Sequence, residues 1–518
     1  MNLGLLLDRA FLNHAGRIAA SDGRRSLAYS DMNDRSLRLG NALARCGLEK
    51  GDRLASLQYN SLEALEIDAA SARFGFVRTF LNARSDEDSF IHILNDCAAK
   101  VLFFGSEFSD VVERIRPALK HAELFICIGG ASVGTVDYED FLRRATPEPV
   151  PYDVHPDDWH SIFYTSGSTG RSKGVVLNQR NWIVLIRNHL VDLFSRAGPS
   201  DVVLHAAPLS HGSGSFVYAH WLRGGRQQIM ARFDADKALE IVERERVTTM
   251  FVAPTMVLKF LESDAKRKRD VSSLHSVVYG GAPMAAEQVA YAMRRWGGVF
   301  AQLYGLWEAP QCFTAMSQAQ HVEALETGAL HRLASAGTPI TFARVGIMDS
   351  DGRLLPTGEE GEVVTAGDHL MVGYLNRPQE TEAIRTGEWL RTGDIGRMDK
   401  DGFLYLVDRK SDVIVTGGSN IFPREIEEVI YTHPDVREVL AVGIPDAIWG
   451  ETVHAVVVPR EGQLIDTEQF LAWCRERLPV DKRPRSCELT TELPKSAYGK
   501  IERRAVRARY WSDKSRRI

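Results

Sequence analysis

The spacing of apolar residues alternates between helical and strand periods over the first 300 positions. Ser36 to Cys46 and Asn60 to Arg73 repeat apolar residues at helical intervals, and the first of these stretches ends at Gly47. The short apolar runs Arg53 to Leu57 and Val101 to Phe104 are typical of buried strands. The alternation resumes after residue 160 and predicts largely parallel sheets with helices on both faces.

A second pattern begins near residue 344. From Arg344 to Leu406, short apolar stretches are separated by Asp-Gly and Thr-Gly pairs, which predicts a small β-rich layer. After Asp408 the pattern predicts a compact α+β domain of about a hundred residues, a usual domain size. Its predicted elements are helices at Pro423 to Thr432 and Asp466 to Leu478 and strands at Val436 to Val442 and Glu451 to Val458. We therefore predict two domains, residues 1–408 and 409–518.

The composition is that of an ordinary globular protein, with 44% hydrophobic and 25% charged residues among 518. A net charge of −5 provides no overall positive field for nucleic acid. Six dispersed cysteines argue against a disulfide framework or a zinc site and fit a reducing cytosol. The apolar runs are too short to span a membrane. We expect a cytoplasmic protein without a nucleic-acid partner, and a homodimer is left open.

A run of glycine, serine and threonine residues lies between two predicted apolar strands. Ser161 to Tyr164 and Val175 to Leu177 are predicted strands, and the chain between them carries Lys173. Small residues let backbone N–H groups converge on an anion, hydroxyls add donors and the ammonium adds charge. The spacing differs from the Walker A pattern, which opens a helix, because this loop leads into a strand. We favour a phosphate-binding loop over a flexible surface loop.

Three further stretches are weak signals when taken singly. Gly280-Gly281-Ala282-Pro283 follows an apolar strand and could let a flat ring lie against its backbone. Tyr304 to Glu308 combines an aromatic face with a carboxylate, and Arg391 to Asp394 offers a carboxylate after a turn, suited to accept ribose hydroxyls. Each could also be a turn, a core tyrosine or a surface aspartate. Their order and spacing, together with the loop, make the combination specific.

These motifs resemble those of the adenylate-forming superfamily, which includes acyl- and aryl-CoA synthetases, adenylation domains of peptide synthetases and beetle luciferases. The resemblance covers nearly the whole chain. It rests on Gly51-Asp52-Arg53, Thr165 to Lys173, Pro208-Leu209-Ser210-His211, Tyr304 to Glu308, Thr392-Gly393-Asp394, Asp408-Arg409-Lys410 and Pro494 to Ile501. It implies an α/β fold in which a large N-terminal domain of doubly wound sheets and a small β-layer precede a small, mobile α+β domain.

The resemblance also implies a two-step reaction. A carboxylate attacks the α-phosphate of Mg-ATP, giving an acyl-adenylate and pyrophosphate. The C-terminal domain then rotates and a thiol attacks the acyl carbon. Positioned cations and Mg²⁺ would stabilise the charge that builds on the phosphoryl oxygens.

The resemblance assigns roles to individual residues. It implies that Glu308 binds Mg²⁺, that Lys500 bridges the carboxylate and the α-phosphate, and that His211 joins them at the reaction site as pocket wall or gate. The residues implied in ATP binding are Thr165, Ser166, Gly167, Ser168, Thr169, Gly170, Lys173, Gly281, Ala282, Pro283, Gln302, Tyr304, Gly305, Trp307, Asp394 and Arg409.

The surroundings of His211 indicate the branch of the superfamily. Adenylation domains for amino acids usually carry an aspartate in this region, but Ala207 to Phe216 contains no acidic residue. The resemblance therefore favours a carboxylate–CoA ligase for an aromatic or medium-size apolar acid, with CoA as the second substrate. One alternative is an adenylating enzyme with another acceptor, such as a carrier-protein thiol, an amine, or nitrite adenylation for diazotisation. The other is a non-catalytic nucleotide-binding homologue.

Two positions depart from the family's usual pattern. Trp307 stands where most members have a threonine that faces the α-phosphate, and an indole is bulkier and only a donor. Either Trp307 turns away from the cleft or the adenylate site is reshaped. Ser411 stands at the expected hinge, where Asp or Lys is usual.

Overall fold

The computed structural model describes residues 1–131, 133–149, 153–165, 171–310, 312–409, 412–416, 419–446, 448–495 and 501–511. These residues divide into two compact units. The first unit comprises residues 1–345 and 365–390, and the second comprises 346–364 and 391–518. The predicted domain boundary between residues 408 and 409 stays a prediction.

The first half of the chain alternates strands and helices. Its early elements are α1 (Leu3–Asn13), β1 (Ile18–Ser21), β2 (Ser26–Ala28), α2 (Tyr29–Arg45), β3 (Arg53–Leu57), α3 (Leu62–Phe74), β4 (Val77–Phe80), α4 (Glu87–Asp96), β5 (Val101–Gly105), α5 (Ser109–Ile115), β6 (Leu124–Ile128), β7 (Val136–Asp137) and α6 (Tyr138–Arg143).

The alternation continues to residue 339. These elements are β8 (Trp159–Thr165), β9 (Lys173–Asn178), α7 (Gln179–Asn188), β10 (Val202–His205), α8 (Phe216–Trp221), β11 (Arg226–Ile229), α9 (Ala235–Glu245), β12 (Thr249–Val252), α10 (Pro254–Lys266), β13 (Ser276–Gly280), α11 (Ala286–Trp296), β14 (Phe300–Tyr304), β15 (Thr314–Met316), α12 (Gln318–Glu326) and β16 (Thr338–Pro339).

Short strands dominate the rest of the chain. The elements are β17 (Arg344–Met348), β18 (Gly361–Ala366), β19 (Gly373–Tyr374), α13 (Pro378–Ala383), β20 (Arg385–Thr386), β21 (Trp389–Met398), β22 (Leu404–Arg409), β23 (Ile414–Thr416), β24 (Ser419–Ile421), α14 (Pro423–Ile430), β25 (Val436–Asp446), β26 (Gly450–Pro459), α15 (Thr467–Arg477), β27 (Ser486–Leu489) and α16 (Arg503–Trp511).

An eight-stranded sheet of order β19-β9-β8-β4-β3-β5-β6-β7 lies in the first unit. Its strands from β8 to β7 run parallel, and β9 and β19 add antiparallel strands at one edge. Strand β5 is buried on both faces, because Val101 and Phe103 belong to one apolar cluster and Leu102 and Phe104 to another. Burial on both faces explains its continuous apolar sequence.

A nine-stranded sheet of order β16-β15-β14-β13-β12-β10-β11-β1-β2 is the other sheet of the first unit. Its strands from β14 to β1 are parallel, and the outer strands β15, β16 and β2 are antiparallel. The largest apolar cluster of the unit includes Phe11, Trp182, Phe216 and Trp221, and Trp307 packs at its margin. The prediction of an α/β fold with largely parallel sheets is confirmed.

The second unit is built on antiparallel strands. Strands β17, β18 and β21 are neighbours in this order, with β22 beside β21. A second sheet has the order β24-β23-β26-β25, with β27 parallel to β26. Helices α14 and α15 contribute Ile426, Ile430 and Phe470 to one apolar cluster, and Val506 of α16 belongs to another. The predicted C-terminal α+β character is confirmed.

One helix begins earlier than predicted. We expected a helix from Ser36, but α2 begins at Tyr29, where the Asp31 carboxylate accepts a hydrogen bond from the Ala28 N–H at 2.8 Å. Tyr29 and Met32 of this first turn are buried and continue the helical spacing toward Leu37, so the sequence contained the signal and the prediction began the helix too late. Within the described residues, no helix is both long and apolar enough to cross a membrane.

Candidate functional site

The predicted phosphate loop is framed by a β-hairpin. Strands β8 and β9 pair antiparallel, and Thr165 and Lys173 are Cα partners at the end of the ladder. The prediction that the loop leads into a strand is therefore confirmed. Ser166, Gly167, Ser168, Thr169 and Gly170 lie outside the described residues.

Lys173 belongs to a group of charged and polar side chains that we call the charged half: Lys173, Glu308, Tyr374 and Glu380. The Lys173 ammonium forms an ion pair with the Glu380 carboxylate and lies 5.3 Å from the centre of the Tyr374 ring. The Tyr374 hydroxyl donates a hydrogen bond of 2.8 Å to Glu308 Oε1. Burial, followed by the Glu308 charge, raises the pKa of Tyr374, which stays a hydrogen-bond donor.

Short strand β19 holds this group together. It pairs antiparallel with β9, so Tyr374 lies opposite Val175, two residues after Lys173. The Tyr374 N–H donates to Thr381 Oγ1 at 2.8 Å, which joins β19 to helix α13 and its Glu380. The Met371 N–H donates to the Glu308 carbonyl at 2.9 Å. These bonds position Tyr374 between the predicted phosphate-binding lysine and the predicted metal ligand.

Aromatic and histidine side chains form a second group, the aromatic half: Phe163, His211 and Trp307. The rings of Trp307 and Phe163 stack with centroids 3.6 Å apart and planes 7° apart. His211 lies edge-on to Trp307 at 6.5 Å. Trp307 is only partly buried, so one face packs on the core while part of the indole is exposed. Packing of Trp307 against the core is therefore observed, and its place in a ligand cleft stays a prediction.

His211 is neutral at ordinary pH. Burial lowers its pKa to about 3, and its Nδ1 lies 2.9 Å from the Ser210 hydroxyl. The turn that follows is tight, since a Cβ on Gly212 would lie 2.5 Å from the Phe251 ring. A neutral imidazole beside stacked aromatic rings creates a wall suited to an apolar ligand.

Two neighbouring parallel strands bring together the predicted adenine-binding residues. Gly280 of β13 pairs with Leu303 of β14, so the segments after both strands leave at the same edge of the sheet. Gly281, at the first of these segments, has φ +80°, which favours glycine, and Ala282 and Pro283 follow it. Tyr304 ends β14, where its ring lies edge-on to Phe313 at 4.7 Å, and Gly305 follows it.

Gln302 lies within β14, two residues before Tyr304, and is one of several residues with a buried polar side-chain atom that lacks a partner among the described residues. Its Oε1 is buried, and no hydrogen-bond partner for it lies among the described residues. A buried polar atom in this state normally finds a partner in water or a ligand. This arrangement fits a ligand with hydrogen-bond donors, as predicted for Gln302 in ATP binding.

The predicted ribose-binding residues lie in the second unit. Asp394 of β21 and Arg409 of β22 are Cα partners, and Arg409 Nε lies 3.1 Å from Asp394 Oδ1. Asp394 is largely buried, whereas the Arg409 side chain is about half exposed (48%). Lys410, Ser411 and Lys500 lie outside the described residues, so their predicted roles rest on the sequence.

The Glu308 carboxylate is suited to bind the predicted Mg²⁺ ion. Groups of three or more metal-ligating side chains are absent from the described part of the chain. Mg²⁺ in nucleotide sites is commonly bound by one or two carboxylates together with substrate phosphates and water. A single half-buried carboxylate, oriented by a tyrosine hydroxyl, suits that mode of binding.

A cavity of about 320 Å³ opens where strands of both sheets of the first unit end. Among its lining residues are Tyr59, Asn60, Arg84, Ser210 and Arg232. The Arg232 guanidinium lies 3.9 Å from the centre of the Tyr59 ring. Sequence reasoning missed Tyr59, Asn60, Arg84 and Arg232, although the position of Tyr59 and Asn60 soon after the predicted strand Arg53 to Leu57 was a usable signal.

Asn60 joins the two sheets at this cavity. Its side-chain Nδ2 donates to the carbonyls of His205, Ala207 and Met230 at 3.0–3.1 Å, and its Oδ1 accepts from the Leu209 N–H at 2.7 Å. One amide therefore binds the segments after β10 and β11 to the end of β3. Tyr374 and Glu380 were also missed, since nothing in their local sequence suggests a partner 200 residues away.

Two family models match the chain. The family model for the AMP-binding enzyme matches residues 7–375, and the model for the AMP-binding enzyme C-terminal domain matches residues 425–500. Together these matches extend over most of the chain.

Three similar proteins illustrate the range of activities. A feruloyl-CoA synthase from Amycolatopsis is 35% identical over 95% of this chain and 96% of its own. A medium/long-chain-fatty-acid–CoA ligase, FadD8 of Mycobacterium tuberculosis, is 33% identical over 99% of this chain and 91% of its own. The solved structure of the amide bond synthetase McbA from Marinactinospora thermotolerans has a TM-score of 0.89 at 28% identity, covering 98% of this chain and 100% of McbA.

Proposed function

Because the chain belongs to the family of AMP-binding enzymes and is an ATP-dependent, AMP-forming ligase, we propose that it joins an aromatic or medium-size apolar carboxylic acid to CoA. The observation that carries this proposal is the contact between the charged half and the aromatic half through the consecutive residues Trp307 and Glu308. A carboxylic acid with an apolar body needs both environments at one point.

In the first step, the acid's carboxylate oxygen attacks the α-phosphorus of ATP and the bond to the β-phosphate oxygen breaks, so pyrophosphate leaves. Lys173 and the loop donors would hold the β- and γ-phosphates, and Glu308 would hold Mg²⁺, which supplies positive charge to the triphosphate. Ala282, Pro283 and Tyr304 would enclose adenine, Gln302 would bind its polar edge, and Gly305 would lie beside it. Asp394 and Arg409 would bind the ribose, and Lys500 would bridge the reacting carboxylate and α-phosphate.

The aromatic half supports the choice of acid. Trp307 stacks on Phe163 and retains exposed surface, and a flat acid placed against it would gain stacking energy. Neutral His211 offers neither a cation nor an anion to the acyl chain. An α-amino acid would need a carboxylate for its ammonium, and the stretch from Ala207 to Phe216 contains none.

In the second step, the thiol sulfur attacks the acyl carbon, the bond to the AMP oxygen breaks and AMP leaves with the electron pair. The cavity of about 320 Å³ supports CoA as the donor of this thiol, because Arg84 and Arg232 line it and CoA carries three phosphate groups. The likeness to an amide bond synthetase keeps an amine as the second candidate acceptor. In that reaction the amine nitrogen replaces sulfur and the product is an amide.

Pyrophosphate release over a panel of acids tests the proposal. Benzoate- and cinnamate-type acids, C6–C10 acids, C16 acids and amino acids are compared with and without CoA or an amine, and products are identified by mass. We expect ATP-dependent pyrophosphate release with aryl or medium-chain acids and an acyl-CoA product. Release without any thioester, together with an amide, would favour the second candidate. Absence of pyrophosphate release with every acid would overturn the proposal.

A further inference from the structure

Glu380 forms an ion pair with Lys173, the cation that the triphosphate is expected to bind. The Lys173 ammonium is ion-paired to the Glu380 carboxylate, and the lysine side chain is only 15% exposed while that of Glu380 is 38% exposed. This contact, led by the hydrogen bond from Lys173, lowers the pKa of Glu380, which therefore stays ionised at neutral pH. The carboxylate is thus a charged competitor for the same ammonium.

The position of Glu380 is defined by hydrogen bonds rather than by chance contact. Thr381 Oγ1 accepts from the Tyr374 N–H at 2.8 Å and donates to the Arg377 carbonyl at 3.0 Å. The segment therefore holds Tyr374, which contacts Glu308, and Glu380, which contacts Lys173, in one short unit of structure. Lys173 and Glu308, the predicted phosphate-binding lysine and the predicted metal ligand, are therefore both in contact with this segment.

Arg377 provides Glu380 with a second cation. Arg377 Nη1 lies 3.5 Å from Glu380 Oε1, and Arg377 Nη2 lies 3.8 Å from Asp96 Oδ1. Asp96 in turn accepts the Tyr164 hydroxyl at 2.7 Å. When Lys173 leaves Glu380, the carboxylate still has a cationic neighbour. If Lys173 moves from Glu380 to another anion, the Glu380 carboxylate is therefore not left without a cationic partner.

We propose that Glu380 is the resident counter-ion of Lys173 and sets how strongly the site distinguishes a nucleoside triphosphate from a monophosphate. The inference rests on the proposed function, in which Lys173 meets the β- and γ-phosphates. A triphosphate displaces Glu380 from Lys173, and Glu380 returns to the ammonium when pyrophosphate departs. AMP, which lacks those phosphates, leaves the Lys173–Glu380 pair intact.

Nucleotide binding without turnover tests the proposal. Dissociation constants for MgATP and AMP are measured by calorimetry, without any acid, for wild type, Glu380→Gln and Glu382→Gln. Glu382 is an exposed carboxylate on the same helix, so its variant controls for the change in overall charge. We expect Glu380→Gln to bind MgATP about two- to fivefold more tightly than both other proteins, the scale of a partly exposed ion pair. AMP affinity should be equal in all three.

The outcomes separate the two levels of inference. Failure of the wild-type chain to bind MgATP would overturn the proposed function and this inference with it. Binding of MgATP by wild type with equal or weaker binding by Glu380→Gln would overturn the counter-ion role alone. Equal tightening in Glu382→Gln, or tightening for AMP as well, would also overturn it, because the effect would then be one of general charge. The gain should shrink at high salt, where exposed charges are screened.

Discussion

The charged half and the aromatic half of the candidate site meet at the consecutive residues Trp307 and Glu308. Ionisable groups keep their charge in the first half, whereas the histidine of the second half is neutral. In the charged half, Lys173, Glu380 and Glu308 each have a partner of complementary charge or a hydrogen-bond donor. In the aromatic half, His211 loses its charge because burial lowers its pKa to about 3. Charges are therefore kept and paired in one group and removed in the other, which is the arrangement that the proposed function requires.

The largest expected effect comes from removing the central charge of the charged half. We expect Glu308→Gln to reduce pyrophosphate release about 100- to 1,000-fold, the usual loss when a transition-state charge contact is removed. The amide keeps an acceptor for the Tyr374 hydroxyl, so the melting temperature should change little. The measurement is steady-state pyrophosphate release at saturating acid. A loss below tenfold would contradict the role of Glu308.

Trp307→Thr is expected to affect both stability and acid preference. Loss of the stack on Phe163 should lower the free energy of unfolding by about 2 kcal/mol, less than for a fully buried aromatic residue. Preference for flat aryl acids over long-chain acids should fall by up to about tenfold, the equivalent of a stacking contact.

Thermal unfolding and a competition assay between benzoate-type and long-chain acids separate the two roles of Trp307. A destabilised variant with unchanged acid preference would contradict a role in the pocket. An unchanged stability would instead contradict the packing that the stack with Phe163 indicates.

Acid should weaken the aromatic half before the charged half. The pKa of His211 is about 3 in the folded chain and about 6.5 when unfolded, so the unfolded state binds the additional proton between these values. Its share of stability is present above pH 6.5 and is lost as pH falls. Relative to His211→Gln, wild type should lose about 1.4 kcal/mol between pH 7.5 and 5.5. Glu380, with its lowered pKa, stays ionised over this interval.

Denaturant unfolding of both proteins at the two pH values checks this expectation. A constant difference between wild type and His211→Gln at pH 7.5 and 5.5 would mean that His211 ionises normally in the folded chain.

The smallest expected effect concerns the hydrogen bond inside the charged half. Tyr374→Phe keeps the ring beside Lys173 and removes only the hydroxyl that orients Glu308. Partners of a metal ligand fix its orientation. We expect the Mg²⁺ concentration for half-maximal activity to rise about fivefold, equivalent to about 1 kcal/mol for one hydrogen bond. The KM for the acid should stay constant. A lower Mg²⁺ requirement would indicate that the hydroxyl competes with the metal.

Much of the fold was predictable because the spacing of apolar residues indicates which positions are buried. Apolar runs, separated by turn-forming residues, predicted the strands on both sides of the predicted phosphate loop. The same patterns predicted the parallel sheets and the C-terminal α+β elements. The first turn of α2 was missed although its buried Tyr29 and Met32 continue the helical spacing, because most of the residues between Tyr29 and Ser36 are polar.

The site was predictable only where chemistry lies in one stretch. Lys173, Tyr304 and Glu308 belong to motifs with local order. Glu380 lies in a polar segment that reads as an ordinary solvated helix, and its contact with Lys173 depends on strand β19 pairing with β9. The contact between Phe163 and Trp307 likewise joins residues far apart in sequence, and local periodicity contains no information about such pairs.

The pairing of Thr165 with Lys173 has a practical consequence for protein engineering. The ladder fixes both ends of the seven residues between them, so we expect changes within this segment to leave the pairing of β8 with β9 in place. Lengthening a closed loop by one or two residues changes the free energy of loop closure by only about a few tenths of a kcal/mol. If the segment binds phosphate as proposed, libraries of altered length and composition there should change nucleotide use while the scaffold still folds.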